Sequence, residues 1–426
     1  MRKKSLKDSD PLPPADRIPP KCTHFSQCGG CRWQHIPYEK QLTFKQLWVQ
    51  DALQPHLDPL SSPLLPIVPC SPPWNYRNKM EFSFSNNTAG DRFLGLMLAN
   101  GRGKVLNLEE CHLCNPWMIN TLHAARDWWA ESGLKAYFPP RDQGSLRTLT
   151  LREGIHTGDR MVILLVSGNP EFAPSKENIE KFTAAIRAVA TPPPSENNPT
   201  LSIFLRIQQI KKGEPTQFFE MQLYGPEHIR EVLHVDTGVA VEKLEFLISP
   251  MAFFQPNTRQ AEKLYSRAIQ LASISSLPKN SLVYDLYCGT GTLGIAMAKS
   301  GCRVVGIEIV PEAILDARMN AERNGLHNIE FIQGDVGKVL AQRAEKNERP
   351  DLVLVDPPRV GLDPKAIEQL LQLNAPKIVY VSCNPISQAE NLEKLIDGGY
   401  VVETGQPVDQ FPQTVHIENI LVLTKR

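Results

Sequence analysis

Through residues 249–426, short apolar runs of strand length alternate with longer stretches of helical spacing. The runs at 282–287, 303–308, 329–333, 351–355 and 377–382 are rich in Val, Ile and Leu. Between and before them, 259–275, 291–300, 311–324, 364–373 and 387–397 carry apolar residues three and four apart. That alternation predicts a doubly wound α/β unit, a mostly parallel sheet with helices on both faces. Two later runs, 400–404 and 417–424, predict an antiparallel pair at its edge.

Upstream the pattern changes. Period-two alternation at 80–84 and in parts of 146–153 and 202–207, separated by turn residues, predicts a mainly antiparallel β-containing unit. Helices are expected near 120–131 and 176–190, and hairpin connections around Gly90 and Gly101. Residues 38–53 read as a helix, and 55–73, with seven prolines, as an extended linker. The chain thus divides into a disordered tail at 1–20, a central unit at 21–248 and the α/β unit at 249–426, with 41–73 placed to pack on the latter.

Composition narrows the function classes. The 426 residues fit two domains, and Lys+Arg and Asp+Glu both number 46. A nucleic-acid partner then requires a local patch. Between Trp74 and Lys104 stand Arg77, Lys79, Arg92, Arg102 and Lys104 against Glu81 and Asp91, with aromatics interleaved. No apolar run approaches the ~18 residues of a membrane span, and the charged start lacks a signal core. A cytoplasmic protein is expected. Nine unevenly spaced cysteines point to metal binding or catalysis rather than a disulfide framework.

Glycines at a strand-to-helix turn, Gly289-x-Gly291-x-x-Gly294, let a ligand approach the backbone, but alone they fit a dinucleotide equally well. Asp285, Glu308, Asp335, Asp356 and Cys383 all fall at or just past strand ends, where such sheets bind ligands. Any one of them is as readily a helix cap, and a lone cysteine is more often inert packing. Five in register favour one crevice. Glu308 suits a ribose diol, and Asp335 an adenine amino group. Asp356-Pro-Pro-Arg359 and Ser382-Cys-Asn-Pro385 have no use in hydride transfer but do in S-adenosylmethionine-dependent methyl transfer. Cys22, Cys28 and Cys31 have metal-ligand spacing, with Cys111 or Cys114 as fourth ligand. Spacing alone suggests zinc, which His24 and His35 could also serve.

The chain resembles the S-adenosylmethionine-dependent RNA 5-methyluridine methyltransferases. The likeness rests on the cysteine cluster, Tyr76-Arg-Asn-Lys-Met-Glu-Phe82, Phe253-Phe-Gln-Pro-Asn257, Asp285-Leu-Tyr-Cys-Gly-Thr-Gly291, Asp356-Pro-Pro-Arg359, Ser382-Cys-Asn-Pro385 and His416-Ile-Glu418. It implies a Rossmann-like class I methyltransferase sheet, with Gln255, Tyr287, Thr292, Glu308, Asp335 and Asp356 lining the cofactor or target base. Cys383 becomes the nucleophile and Glu418 the base. It also implies a four-iron, four-sulfur cluster on Cys22, Cys28, Cys31 and Cys111. The family often has Asn after the second loop glycine; here it is Thr292. Some members carry an N-terminal RNA-binding barrel, for which the roughly twenty residues before Cys22 are too few. An RNA substrate is expected, ribosomal before transfer RNA, and a monomer.

Competing readings fit less of the chain. An amino-group methyltransferase would share Asp-Pro-Pro but would want an aromatic residue where Arg359 stands. Cytosine-5 enzymes would carry Pro-Cys in place of Pro-Pro. A nicotinamide dehydrogenase leaves both later motifs unused, and a non-catalytic iron–sulfur RNA-binding protein needs neither Cys383 nor Glu418.

Overall fold

The computed structural model of the chain describes residues 12–57, 63–101, 103–211 and 213–426. Residues 1–11 of the expected tail, and Arg102 of the basic stretch, lie outside the described residues. Leu12, within that tail, is buried against Trp33, Ile36 and Val415. Its apolar partner comes from the far end of the chain, which local composition does not reveal.

Helix α1 (Tyr38–Leu53) is followed by the proline-rich segment. That segment runs beside the last-but-one strand, with isolated parallel bridges Leu64 to Gly405 and Val68 to Val408. Prolines at 63, 66 and 69 cannot donate to a ladder, so the contact stays bridge by bridge.

Strands β1 (Lys79–Asn86) and β2 (Arg92–Gly95), helix α2 (Pro116–Glu131), strands β3 (Leu146–Glu153) and β4 (Arg160–Ser167), helix α3 (Lys176–Ala190) and strands β5 (Leu201–Gln209) and β6 (Gln217–Tyr224) follow. Their six-stranded sheet has the order β2-β1-β3-β4-β5-β6. Every neighbouring pair is antiparallel except β4 and β5, which α3 joins as a crossover. The two helices bury Trp128, Trp129 and Phe182 against sheet residues such as Phe82, Leu149 and Leu164. Arg92 stacks on Trp129 at 5.6 Å and donates to the carbonyl of Ala130, so its charge is used within the fold.

Strands β7 (Ile229–Asp236) and β8 (Val241–Ile248) form a separate hairpin. Leu233 and Phe246 share one core with Ala261 and Leu264 further on and with Met161, Ile163 and Phe204 of the six-stranded sheet. The apolar core therefore continues through residues 248 and 249, where the pattern of elements changes.

The remainder comprises α4 (Thr258–Leu271), β9 (Leu282–Leu286), α5 (Thr292–Lys299), β10 (Arg303–Glu308), α6 (Pro311–Arg323), β11 (Ile329–Gln333), α7 (Val336–Glu345), β12 (Leu352–Val355), α8 (Pro364–Leu373), β13 (Lys377–Ser382), α9 (Pro385–Asp397), β14 (Tyr400–Val408) and β15 (Glu418–Lys425). The sheet order is β11-β10-β9-β12-β13-β15-β14. Strands β9 to β13 are parallel, and β15 is antiparallel to both its neighbours. This is a Rossmann-like arrangement in which the chain reverses its lateral progress between β9 and β12, and such a switch point opens a crevice at the strand ends.

Candidate active site

Register brings the expected residues to one edge. Leu286 is level with Ile307 on β10 and Val355 on β12. The next residues, Tyr287, Glu308 and Asp356, thus leave the sheet together. In the antiparallel pair of β13 and β15, Ser382 stands opposite Asn419. One step beyond Ser382 and one before Asn419, Cys383 and Glu418 emerge facing the same end.

These residues line a cavity of about 760 Å³ together with Gln255, Thr292, Gly289, Tyr265, Phe253, Arg359 and His416. The glycine turn is shaped for close approach. Gly291 has φ +79°, and a Cβ there would meet the Phe331 ring at 2.7 Å. A Cβ on Gly294 would lie 2.7 Å from the Asp285 carboxylate, which accepts the Gly294 amide at 2.8 Å. Asp285 thus fastens the turn from beneath. By contrast a Cβ on Gly289 meets nothing within 4 Å, leaving its backbone bare to the cavity. Tyr287 holds a left-handed φ of 61°, a strain that sites of this kind often store.

Glu308 accepts the amides of Gly289 at 3.2 Å, Ile309 at 2.8 Å and Val310 at 3.0 Å, which fix its carboxylate at the crevice. Asp335 does not join the lining. It caps α7, accepting the Lys338 amide at 3.1 Å. Sequence reasoning missed Tyr265 and Phe411, which reach the cavity from α4 and from the loop before β15. Tyr265 lies within a helix and Phe411 in the loop three residues past β14, and no motif marks either.

The acid–base character of the cavity follows from burial. Glu418, 4% exposed, is pushed well above the usual carboxylate range by burial and then by the charge of Asp356. Burial also raises Asp356 to about 7 and Asp285 to about 7. The Cys383 thiol is pushed up to about 11 by burial, then by Glu418, while Arg359 opposes the rise. Arg359 also approaches His416 Nδ1 at 3.4 Å.

Loop 409–416, which carries Phe411 and His416, is held by the N-terminal segment. Arg32 and Trp33 donate their amides to the Gln413 carbonyl at 3.0 and 3.1 Å, and Gln41 exchanges hydrogen bonds with Gln413 at 2.9 and 3.0 Å. Tyr76 donates to the Pro412 carbonyl at 3.0 Å.

Cys22, Cys28, Cys31 and Cys111 line a second cavity with Gln34 and Leu96. Cys114 is buried in the core of the six-stranded sheet and is not among that lining. Among the described residues, no three of these thiols lie within 4.8 Å of one another. His24 accepts the Glu109 amide on Nε2 at 3.0 Å, which occupies that nitrogen.

A family model for tRNA (uracil-5-)-methyltransferase matches residues 220–426. An uncharacterized RNA methyltransferase of Protochlamydia amoebophila is 52% identical over 97% of this chain and 92% of its own length. One from Chlamydia muridarum is 35% identical over 95% of this chain and 98% of its own. Among solved structures, the Pyrococcus abyssi tRNA (uracil-54, C5)-methyltransferase in complex with S-adenosyl-L-homocysteine superposes with a TM-score of 0.70 at 25% identity, covering 93% of this chain and 86% of that one.

Proposed function

We propose that this chain, which belongs to the S-adenosylmethionine-dependent RNA uracil-5-methyltransferase family, methylates carbon-5 of a uridine through a covalent bond from Cys383. The observation that carries the mechanism is the pairing of Ser382 with Asn419, which sets Cys383 and Glu418 against each other in the cavity that holds Asp356 and the glycine turn.

S-adenosylmethionine, when bound, supplies an electrophilic methyl group. The bare backbone of Gly289, the carboxylate of Glu308 and the apolar wall of Ile309 and Val310 form a cradle that suits it. Gln255, Tyr287 and Thr292 complete our assignment of that cradle, with Asp335 acting from just outside it. Carbon-5 of uracil is too weak a nucleophile to react unaided. The thiolate of Cys383 forms a bond to carbon-6, and the carbon-5/carbon-6 electron pair moves toward the carbon-4 oxygen as an enolate. The proton released from the thiol leaves to solvent or a pocket carboxylate. After carbon-5 has taken the methyl group, ionised Glu418 removes the carbon-5 proton. The freed pair restores the ring double bond as Cys383 is expelled. A carboxylate whose pKa burial has raised is the stronger base for that step.

We assign Cys22, Cys28, Cys31 and Cys111 as ligands of a [4Fe–4S] cluster, supported by their common cavity. The cluster would be structural, tying Cys31 and the bonds of Arg32 and Trp33 to the Gln413 loop.

Mapping 5-methyluridine in ribosomal and transfer RNA from cells with and without the gene tests the function. Ribosomal RNA is the substrate expected first, and loss of the modification from transfer RNA alone would reassign it. An unchanged map in both would reject uracil methylation.

A further inference from the structure

Outside the cavity, three side chains from three elements converge. His156 stands in the turn between β3 and β4, His234 on β7 and Glu262 on α4. His156 Nε2 lies 2.9 Å from Glu262 Oε1, and His234 Nδ1 lies 3.3 Å from that same oxygen. The imidazole rings meet edge to face, 4.9 Å between centroids at 83°. One potential ligand atom from each lies within 4.8 Å of the other two, the only such trio of His, Cys, Asp or Glu among the described residues.

The surroundings hold this arrangement in place. The His234 amide donates to Glu262 Oε1 at 2.8 Å. Behind His156, the buried carboxylate of Glu231 accepts the amides of Ile155 at 2.8 Å and His156 at 3.0 Å. Asn197 donates to the His156 carbonyl at 2.9 Å. Both backbones are thus fixed independently of the imidazoles. Side-chain exposures of 26% for His156, 47% for His234 and 14% for Glu262 leave the group open to solvent from one side.

We propose that His156, His234 and Glu262 form a binding site for a divalent transition-metal ion of the zinc class. Two imidazole nitrogens and one carboxylate oxygen are the donors that zinc, cobalt and nickel favour, and water would complete a tetrahedron. Metal–ligand bonds of about 2.0–2.2 Å place tetrahedral ligand atoms roughly 3.3–3.5 Å apart. The present contacts at 2.9 and 3.3 Å need only a small outward movement. On binding, each imidazole gives a lone pair to the ion. A proton on His156 Nε2 or His234 Nδ1 moves to the other ring nitrogen or leaves to solvent. Glu262, with Glu231 behind it, offsets the ion's charge, while Arg259 one turn earlier on α4 works against it.

The ion would be a clasp. Its ligands belong to the six-stranded sheet's turn, the hairpin and α4, and α4 starts just after Gln255 of the active-site cavity. Binding would therefore brace the junction of the two halves without touching the reacting atoms, and it does not depend on the reaction assigned to the cavity.

The test uses full-length protein with its cysteine site loaded, titrated with zinc chloride and separately with cobalt chloride. One equivalent of zinc should raise the melting temperature by several degrees. His234→Gln, at the most exposed ligand, should weaken zinc binding at least tenfold, and His156→Gln/His234→Gln should abolish the shift. Cobalt should give ligand-field bands without thiolate-to-cobalt charge transfer, and these should vanish in the double variant. Glu262→Gln gives an independent check should the double variant fold poorly. Absence of any shift, a shift that survives the histidine substitutions, or a thiolate charge-transfer spectrum would each overturn the site.

Discussion

The ammonium of Lys45 lies 2.5 Å from the carboxylate of Asp409, with neither side chain exposed to solvent. Lys45 also donates to the Phe411 carbonyl at 3.0 Å, and Tyr38 donates to the other Asp409 oxygen at 2.8 Å. Helix α1 is thereby fastened to the loop that leads to Glu418.

Removing one partner of a buried pair leaves the other charge unanswered, which costs about 3–5 kcal/mol. Lys45→Met should lose stability on that scale in denaturant unfolding, and turnover should fall because Phe411 and His416 lose their support. Lys45→Met/Asp409→Leu should recover much of the stability. If the single variant unfolds at the wild-type denaturant concentration, the pair contributes little.

With its pKa near 11, only roughly one Cys383 thiol in 10⁴ is ionised at pH 7 before substrate enters. Alkylation of the Cys383 peptide by iodoacetamide, followed by mass spectrometry, should accelerate about tenfold per pH unit from pH 7 to 10. Arg359 holds the pKa down, so Arg359→Met should slow alkylation several-fold at any pH in that range. A rate flat with pH would show that the thiolate is already formed.

Glu418→Gln keeps the side chain's shape but removes its basicity. Methyl transfer should proceed and release should slow by about 10²–10⁴, trapping methylated RNA on Cys383. With methyl-labelled cofactor, a labelled slow band should appear on a denaturing gel and disappear in Cys383→Ala/Glu418→Gln. Free methylated RNA released at the wild-type rate would assign proton removal to another group.

Anaerobically purified protein should carry roughly four irons per chain. Cys111→Ser should lose them and Cys114→Ser should keep them, because Cys111 faces the cysteine cavity and Cys114 the core of the six-stranded sheet. Stoichiometric zinc in place of iron would replace the cluster assignment.

Strands β9 to β13 were legible in the sequence because each is a short apolar run bounded by turns. Strand ends in turn revealed Glu308, Asp356 and Cys383. Helix α7 was not among those expected, although its buried Val336, Val339 and Leu340 stand at helical spacing. The hairpin of β7 and β8 reads locally like the strands before it, yet it packs on α4; only tertiary contact decides that. Lys45, Asp409, His156, His234 and Glu262 look like ordinary surface charges in the sequence, and Tyr265 like ordinary helix core. Their significance lies in partners contributed by distant elements, and local pattern holds no record of those partners.

The clamp between Gln41 and Gln413 has a consequence for biosynthesis. A chain emerges from the ribosome N-terminus first, so Gln41 and Lys45 exist long before their partners. The wall bearing Glu418 closes only after the residues through β15 have been made. We expect nascent chains arrested before β15 to leave RNA unmethylated even when the glycine turn and Cys383 are already outside the tunnel, which arrested complexes offered a labelled methyl donor would reveal. An enzyme built this way would complete its cavity only when β15 pairs with β13.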